Sequence, residues 1–349
     1  LGPAGRRPAH NTTPGVLALR GLLAEARDAG CQAAVLEVSS HGLDQGRVAG
    51  LDFRAGIFTN LGRDHLDYHR DEASYFEAKS RLFRDLDPSA TAILSTEDPV
   101  SERLAPLTRA SLLRYGFDAR ADLRATDLDL SARRSAFTLA YGGGFACKLE
   151  TPLIGRHNVL NLLAAVAAAK ALGLDVEAAA RGAAATTGVP GRLERVLPSP
   201  DLDVFVDYAH TEEALRAVLT FLRDVGARPI TCVVGCGGDR DRTKRPRMAR
   251  AAAELADHVV LTSDNPRTED PEGILRDMEA GLEGDLVRRS TTITDRREAI
   301  FAAVRETAPR GCVLVAGKGH ETYQILGTKK IPYDDARVLR EALAERAGE

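Results

Sequence analysis

Tryptophan is absent, aromatic residues make up only 5%, and neither sign of charge dominates: 47 Lys and Arg stand against 50 Asp and Glu, a net charge of −3. That balance points away from a nucleic-acid footprint, a polybasic membrane anchor or a disordered tail, so no charge-driven partner is implied. Long apolar runs are missing too. No stretch approaches the roughly 20 residues of a membrane span, and no charged, apolar and small-residue succession marks a signal peptide. The chain therefore reads as cytoplasmic, without nucleic-acid or membrane partners. Cysteine is scarce and odd in number. Cys31, Cys147, Cys232, Cys236 and Cys312 are scattered, three of them in apolar runs, which reads as small buried hydrophobes in a reducing compartment. A phosphate-cradling G-x-x-x-x-G-K-[ST] occurs nowhere, since "GKGHE" supplies neither its first glycine nor its hydroxyl. The chain also lacks an initial Met, opening on Leu1 and a polar segment without periodicity, which raises the expectation that the natural N-terminus lies upstream.

What is present is the composition of an ordinary globular enzyme, 44% hydrophobic and 28% charged, and 349 residues are too many for one typical core. Two domains are expected. From Thr13 onward, helix-period and strand-like segments alternate, which favours an α/β class. Thr13 and Pro14 read as a helix start, a hydroxyl cap followed by a proline whose missing N–H costs nothing there. Residues 33–40, 53–60 and 90–99 read as buried strands. Between about 120 and 153 the period shortens to near two, suggesting antiparallel strands added to a parallel sheet. A long apolar helix follows from Asn158 to about Leu172, then a linker at 186–196 with two glycines and a proline. Beyond it, strands at 203–210, 230–235, 259–267 and 312–321 alternate with helices, one begun by Asp270 and Pro271 and another by Asp295 and Glu298. That succession is a doubly wound parallel sheet, whose ligands sit at the carboxyl ends of the strands.

Polar clusters follow those apolar runs at 37–41, 59–69, 207–210, 235–241, 264–267 and 317–321, and they contain His41, His65, His69, His210 and His320. One such cluster is what any strand end looks like; six on one sheet edge argue for a site. "GCGGDRD" has the glycine density of a loop that lets backbone N–H groups approach a ligand, without the G-x-G-x-x-G spacing. Glu37, His65 and Lys79 could converge on a hard cation only if Lys79 were modified, because an ammonium has no lone pair to offer. Otherwise Lys79 is a solvated helix lysine beside Glu77. "DNPR", Asp264 to Arg267, is either a turn that leaves a buried strand or a set of side chains that hold something.

Taken in order, "NTTP", "EVSSHGLDQGRV", "FTNLGRDHLDYH", "YFEAKSRLF", "GRHNVLN", "TGVPGRLERV", "DYAHT", "GCGGDRDRTKRP", "DNPR" and "GKGHET" make residues 11 to 322 resemble the Mur ligases of peptidoglycan assembly. The resemblance implies two doubly wound, Rossmann-like α/β domains. Residues 1–192 would be an incomplete central ATPase domain with added antiparallel strands, and 193–349 the amino-acid-binding domain. It implies an ATP-dependent amide ligase that phosphorylates the D-glutamate carboxylate of UDP-MurNAc-L-Ala-D-Glu and lets the amine of meso-diaminopimelate attack the acyl phosphate. Such chemistry needs positioning and positive charge more than covalent help, and shielding from water.

Carried over by position, Thr12, Thr13, Ser39, Gln45 and Arg47 would contact the UDP-sugar peptide. Glu37, His65 and a carbamylated Lys79 would be catalytic and hold Mg²⁺. Asn158 and Asn161, one helical turn apart, would contact ATP together with Asp207, Tyr208 and His210. Arg240, Asp264, Asn265, Pro266, Arg267, Gly317 and Glu321 would hold diaminopimelate.

The chain departs from the family pattern in two places. The loop G-T-N-G-K-T-T and the UDP-binding domain that precede "TTP" in the family are absent, so this chain is expected to be an inactive fragment. Glu212 stands where proline usually follows "DYAHT", and a helix-start glutamate is benign there. Diaminopimelate differs from lysine by a distal carboxylate, which an arginine fork binds bidentately; lysine-adding relatives lack the arginine of "DNPR". A lysine-adding ligase is the alternative within the family, and a non-catalytic binding module the alternative outside it. Folate polyglutamation fits neither "EVSSHGLDQGRV" nor "DNPR". The family suggests a monomer.

Overall fold

The computed structural model describes residues 5, 11–62, 68–142, 144–196 and 201–348. Its contacts form two units: Leu1–Leu128, Phe137–Leu149 and His157–Ala184 make the first, and Asp129–Ala136, Glu150–Arg156 and Ala185–Glu349 the second.

The first part of the chain runs α1 (Val16–Asp28), α2 (Ser40–Asp44), β1 (Ala55–Phe58), α3 (Glu72–Arg84), β2 (Thr91–Ser95), α4 (Val100–Leu104), β3 (Ser111–Gly116), β4 (Leu123–Leu130), β5 (Ser135–Tyr141), β6 (Phe145–Thr151), α5 (Arg156–Ala171) and α6 (Val176–Ala184). Strands β1 to β4 are parallel neighbours in order, and β5 and β6 extend the same sheet. Strand β4, within the stretch whose two-residue period suggested antiparallel strands, pairs parallel with β3. Helix α3 starts where Asp71 accepts from the Ser74 N–H and the Ser74 hydroxyl accepts in return, and it buries Phe76 and Phe83 against Phe58, Leu94 and Leu104.

Two local expectations fail here. Of the run 33–40, read as a buried strand, residues 33–39 belong to no strand among the described residues, and Val35 is 91% exposed. An apolar run becomes a strand only where a neighbour completes its ladder, and among the described residues this sheet's ladder ends at β1. Thr13 does not cap α1, whose N-cap is Gly15; the Thr13 hydroxyl is spent on residues 37–39.

The remainder runs β7 (Glu194–Arg195), β8 (Asp203–Asp207), α7 (Glu212–Asp224), β9 (Ile230–Cys236), α8 (Lys244–Leu255), β10 (His258–Ser263), α9 (Pro271–Glu279), α10 (Asp285–Arg288), β11 (Ser290–Thr292), α11 (Arg296–Glu306), β12 (Cys312–Ala316), the hairpin β13 (Tyr323–Leu326) and β14 (Lys329–Pro332), and α12 (Asp335–Ala347). The sheet order is β11-β10-β9-β12-β8-β7, parallel from β11 to β8, with β7 antiparallel at the edge. Side-chain alternation dresses both faces. Cys232, Val234, Leu261 and Leu314 pack with Leu215, Leu219, Met248 and Leu275, while Val233, Val260, Val313 and Val315 pack with Ile300, Val304 and Leu339. Strands buried on both faces must be apolar throughout, which is why these read so clearly. Asp270 and Asp295 cap α9 and α11 as the sequence implied. Within the stretch read as a linker, the Gly191 N–H binds Glu194 and the Leu193 N–H binds Asp207 at 2.6 Å, so residues from Gly191 onward are tied to the second unit.

The six polar clusters do not share one sheet edge: 37–41 and 59–69 belong to the first unit and the other four to the second. Cys232, Cys236 and Cys312 are buried, and burial pushes the first two thiols up to about 12. Cys31 is exposed, against the expectation that all five are core residues.

Candidate functional site

Winding in the second sheet reverses between β9 and β12, which makes their carboxyl ends a topological switch point and the natural place for a ligand. Loops leaving β8, β9, β10 and β12 meet there. From β10 come Asp264 and Asn265, both nearly buried, and from β12 come Gly317, Lys318 and Glu321. Lys318 is fully buried, with Nζ 3.0 Å from Glu321 Oε2, 3.1 Å from Asn265 Oδ1 and 3.4 Å from Asp264 Oδ1. Asn265 is held from three sides: its Oδ1 also accepts the Ile325 N–H at 2.9 Å, and its Nδ2 donates to Glu321 Oε2 at 3.0 Å. Gln324 donates to the Asp264 carbonyl at 2.8 Å, so the β13–β14 hairpin buttresses this loop.

"GCGGDRD" and "DNPR" lie side by side. Gly238 N–H donates to the Asn265 carbonyl at 2.9 Å, and a Cβ on Gly238 would stand 1.9 Å from the Pro266 carbonyl oxygen. The glycine density admits the close approach of this neighbouring backbone. Arg267 occupies the left-handed region at φ 53°, a costly conformation for a residue with a Cβ. Its Nη1 donates to the Gly238 carbonyl at 2.7 Å, which fixes one edge of the guanidinium. Arg240 is exposed, and its Cγ lies near the same Gly237 position that the Arg267 Nη1 approaches. Below the loop, Arg245 is inaccessible to solvent and binds Glu269, Asp277 and the Gly237 carbonyl. Arg245 holds both carboxyls below the usual carboxylate range.

After β8, Asp207 accepts the Ala209 and Leu193 N–H groups, and His210 Nδ1 lies 2.8 Å from the Tyr208 carbonyl. The Tyr208 ring contacts those of His210 and His320, and the Arg192 guanidinium sits 5.0 Å from its centre. Burial, and after it the Glu321 carboxylate, pushes the Tyr208 phenol upward.

In the first unit, Thr13, Ser39, Gln45 and Arg47 form one network. The Thr13 hydroxyl accepts the Ser39 N–H at 2.9 Å, Arg47 Nη1 donates to the Thr13 carbonyl at 2.8 Å, and Gln45 Oε1 takes Arg47 Nη2 at 2.6 Å. Thr12 is exposed beside it. Glu37 is exposed, and the Lys79 Nζ lies 5.3 Å from the Tyr75 ring centre. His65 lies outside the described residues, among which no group of three His, Cys, Asp or Glu is placed to hold a metal ion. The donor chemistry fits Mg²⁺ if Lys79 is carbamylated, since only then does its side chain present oxygens. Asn158 and Asn161 are in contact on α5, Nδ2 to Oδ1 at 3.4 Å, and belong to the first unit, whereas Asp207, Tyr208 and His210 belong to the second.

Sequence reasoning missed Lys318 and Arg192. A signal existed for Lys318: it stands between two glycines directly after a buried strand, with φ 112° and 52° at Gly317 and Gly319, so the chain can turn its side chain inward.

A family model described as the Mur ligase middle domain matches residues 2–169, and one described as the Mur ligase glutamate ligase domain matches 191–319. A relative from Gloeobacter violaceus, named UDP-N-acetylmuramoyl-L-alanyl-D-glutamate–2,6-diaminopimelate ligase, is 49% identical over 346 residues, covering 99% of this chain and 70% of its own length. One of the same name from Thermosynechococcus vestitus is 47% identical, covering 97% and 68%. A solved structure of an enzyme of that name superposes with a TM-score of 0.71 at 38% identity, over 99% of this chain and 72% of its own.

Proposed function

The chain belongs to the Mur ligase family, and on that premise we propose that it serves the ATP-dependent addition of meso-diaminopimelate to UDP-MurNAc-L-Ala-D-Glu in peptidoglycan synthesis. The observation that carries this choice of amino acid is that Asp264, Asn265 and Glu321 gather at the loop that also bears an arginine, Arg267, whose Nη1 is held by the Gly238 and Asn265 carbonyls. A distal centre bearing an ammonium and a carboxylate matches acids beside a guanidinium fork; lysine would leave the fork without its anion.

The γ-phosphoryl group of ATP passes to the D-glutamate carboxylate, releasing ADP. The free amine of diaminopimelate then attacks the acyl carbon, and the tetrahedral intermediate collapses with loss of phosphate as the nitrogen gives up its proton. Thr12, Thr13, Ser39, Gln45 and Arg47 are assigned to the UDP-sugar peptide, and Asn158, Asn161, Asp207, Tyr208 and His210 to the nucleotide. Arg240, Asp264, Asn265, Pro266, Arg267, Gly317 and Glu321 position diaminopimelate, so that binding strength is converted into orientation of the attacking amine. Glu37, His65 and carbamylated Lys79 would hold Mg²⁺, which when bound neutralises phosphate charge. Residues 1–192 act as the ATP-handling domain and 193–349 as the amino-acid domain, in a cytoplasmic monomer.

The test is a ligation assay on the protein as its host makes it, comparing meso-diaminopimelate with lysine. ADP release that depends on UDP-MurNAc-L-Ala-D-Glu and is at least tenfold more efficient with diaminopimelate is expected. Equal use of lysine, or ADP release with neither amino acid, would overturn the assignment.

A further inference from the structure

Lys318 is a buried cation for which the proposed chemistry has no task. Its side chain is wholly inaccessible, which a lysine tolerates only when its charge is matched. The match is asymmetric: Nζ faces Asp264 Oδ1 and Glu321 Oε2, two carboxylates from different loops, together with the neutral Asn265 Oδ1. One positive charge is thus set against two negative ones, and each carboxylate keeps its other oxygen off the lysine. The glycines on either side are needed for this placement. A Cβ on Gly319 would stand 2.7 Å from Tyr208 Cβ, so the segment is pressed against the β8 loop while Lys318 points the other way, into the acids.

We infer that Lys318 is a positioning and specificity-determining residue: by cancelling one of the two carboxylate charges, it makes the amino-acid site accept a distal centre that carries both an ammonium and a carboxylate. This rests on the reading of Asp264, Asn265, Arg267 and Glu321 as the diaminopimelate site. With Lys318 present, the acids contribute one net negative charge, enough for a single ammonium and low enough to leave the carboxylate to Arg267. Without it they contribute two. The added negative charge repels the distal carboxylate of diaminopimelate and attracts lysine, whose distal end is purely cationic. Discrimination of this kind works by penalising the wrong partner as much as by favouring the right one. An uncancelled unit charge a few ångströms from the ligand is large enough to shift a rate ratio by about tenfold or more.

The experiment measures kcat/KM for meso-diaminopimelate and for lysine with the wild-type protein as its host makes it, with Lys318→Met and Lys318→Gln, and with the double variant Lys318→Met/Glu321→Gln. Both single variants are expected to lower the diaminopimelate-to-lysine ratio about tenfold or more, because methionine keeps the apolar stem and glutamine keeps a donor, but neither carries charge. The double variant restores the charge count, so its ratio is expected within about threefold of wild type even where both absolute rates fall. Single variants whose ratio stays within twofold, with both rates falling together, would show a merely structural role and overturn the inference. A double variant that fails to recover the ratio would also overturn it. Should the single variants not fold, the double variant decides alone, since it leaves one buried carboxylate, Asp264, where the single variants leave two. Calorimetric titration of both amino acids into the same proteins separates the two claims: binding without ligation refutes the ligase assignment, while the ratio of dissociation constants still decides Lys318.

Discussion

Replacing Asp335 by asparagine tests what holds the ends of β10 and β12 together. Arg296 and Asp335 are both inaccessible to solvent and paired twice, Nε to Oδ1 at 2.8 Å and Nη2 to Oδ2 at 2.7 Å. The rest of the guanidinium donates to the Ser263 carbonyl at 3.3 Å and the Ala316 carbonyl at 3.1 Å, the last residues of the two strands that deliver Asp264 and Gly317. Burial pushes the Arg296 guanidinium down, but the Asp335 carboxylate more than reverses this, so Arg296 remains charged. In Asp335→Asn one acceptor oxygen becomes an N–H donor facing another donor, and the buried charge loses its counter-ion. Breaking one side of a buried pair costs about 3–5 kcal/mol. For a unit of this size, each kcal/mol shifts the midpoint by about 2–4 °C, so thermal unfolding should fall by about 6–20 °C. The double variant Arg296→Met/Asp335→Leu removes both charges and is expected to lose much less, because its burial strands no ion. A drop below about 2 °C in the single variant, or a double variant as unstable as the single, would refute the reasoning.

Other outcomes follow from the site. Arg267→Lys should cost about 2 kcal/mol in kcat/KM for diaminopimelate, roughly thirtyfold, because one ammonium cannot serve both the Gly238 carbonyl and a distal carboxylate; an unchanged value removes Arg267 from the specificity argument. Gly238→Ala should raise KM for diaminopimelate by about tenfold while leaving KM for ATP nearly unaltered, since the new methyl meets the Pro266 carbonyl and must displace the "DNPR" backbone; a rise in both constants would place the damage elsewhere. Acid sensitivity should trace to Arg245. Glu269 and Asp277 have carboxyls held below their ordinary values of 4.5 and 3.8, chiefly by hydrogen bonds from Arg245, so their contribution is complete above those values and is lost as pH falls through the lower, folded ones. Melting curves from neutral pH down to about 3 should therefore show an acid limb that Arg245→Met flattens. A limb of equal steepness in that variant would assign it to other groups.

Much of the second unit was legible from the chain alone. A parallel strand covered on both faces has to be apolar at every position, so "ITCVVG" and "CVLVAG" announce themselves without alignment to anything. Likewise Asp270 before Pro271, and Asp295 three residues before Glu298, mark helix starts through contacts made within one turn. Local periodicity and capping by themselves determined those elements, and motif order determined the family.

Tertiary structure decided whatever depends on a partner distant in sequence. Residues 33–39 carry the same apolar pattern as the true strands but, among the described residues, find no neighbouring ladder and make no strand. Thr13 has a cap-forming hydroxyl that goes instead to Glu37 and Ser39, 24 and 26 positions away. Lys318, a loop lysine between two glycines, becomes a buried counter-ion because the strand order brings the ends of β10 and β12, flanking β9, within reach of each other although Asp264 and Lys318 stand 54 positions apart. Side-chain chemistry is written locally, but a charge's neighbours, and hence whether it is solvated, paired or available to a substrate, are set only when the strands take their places in the sheet.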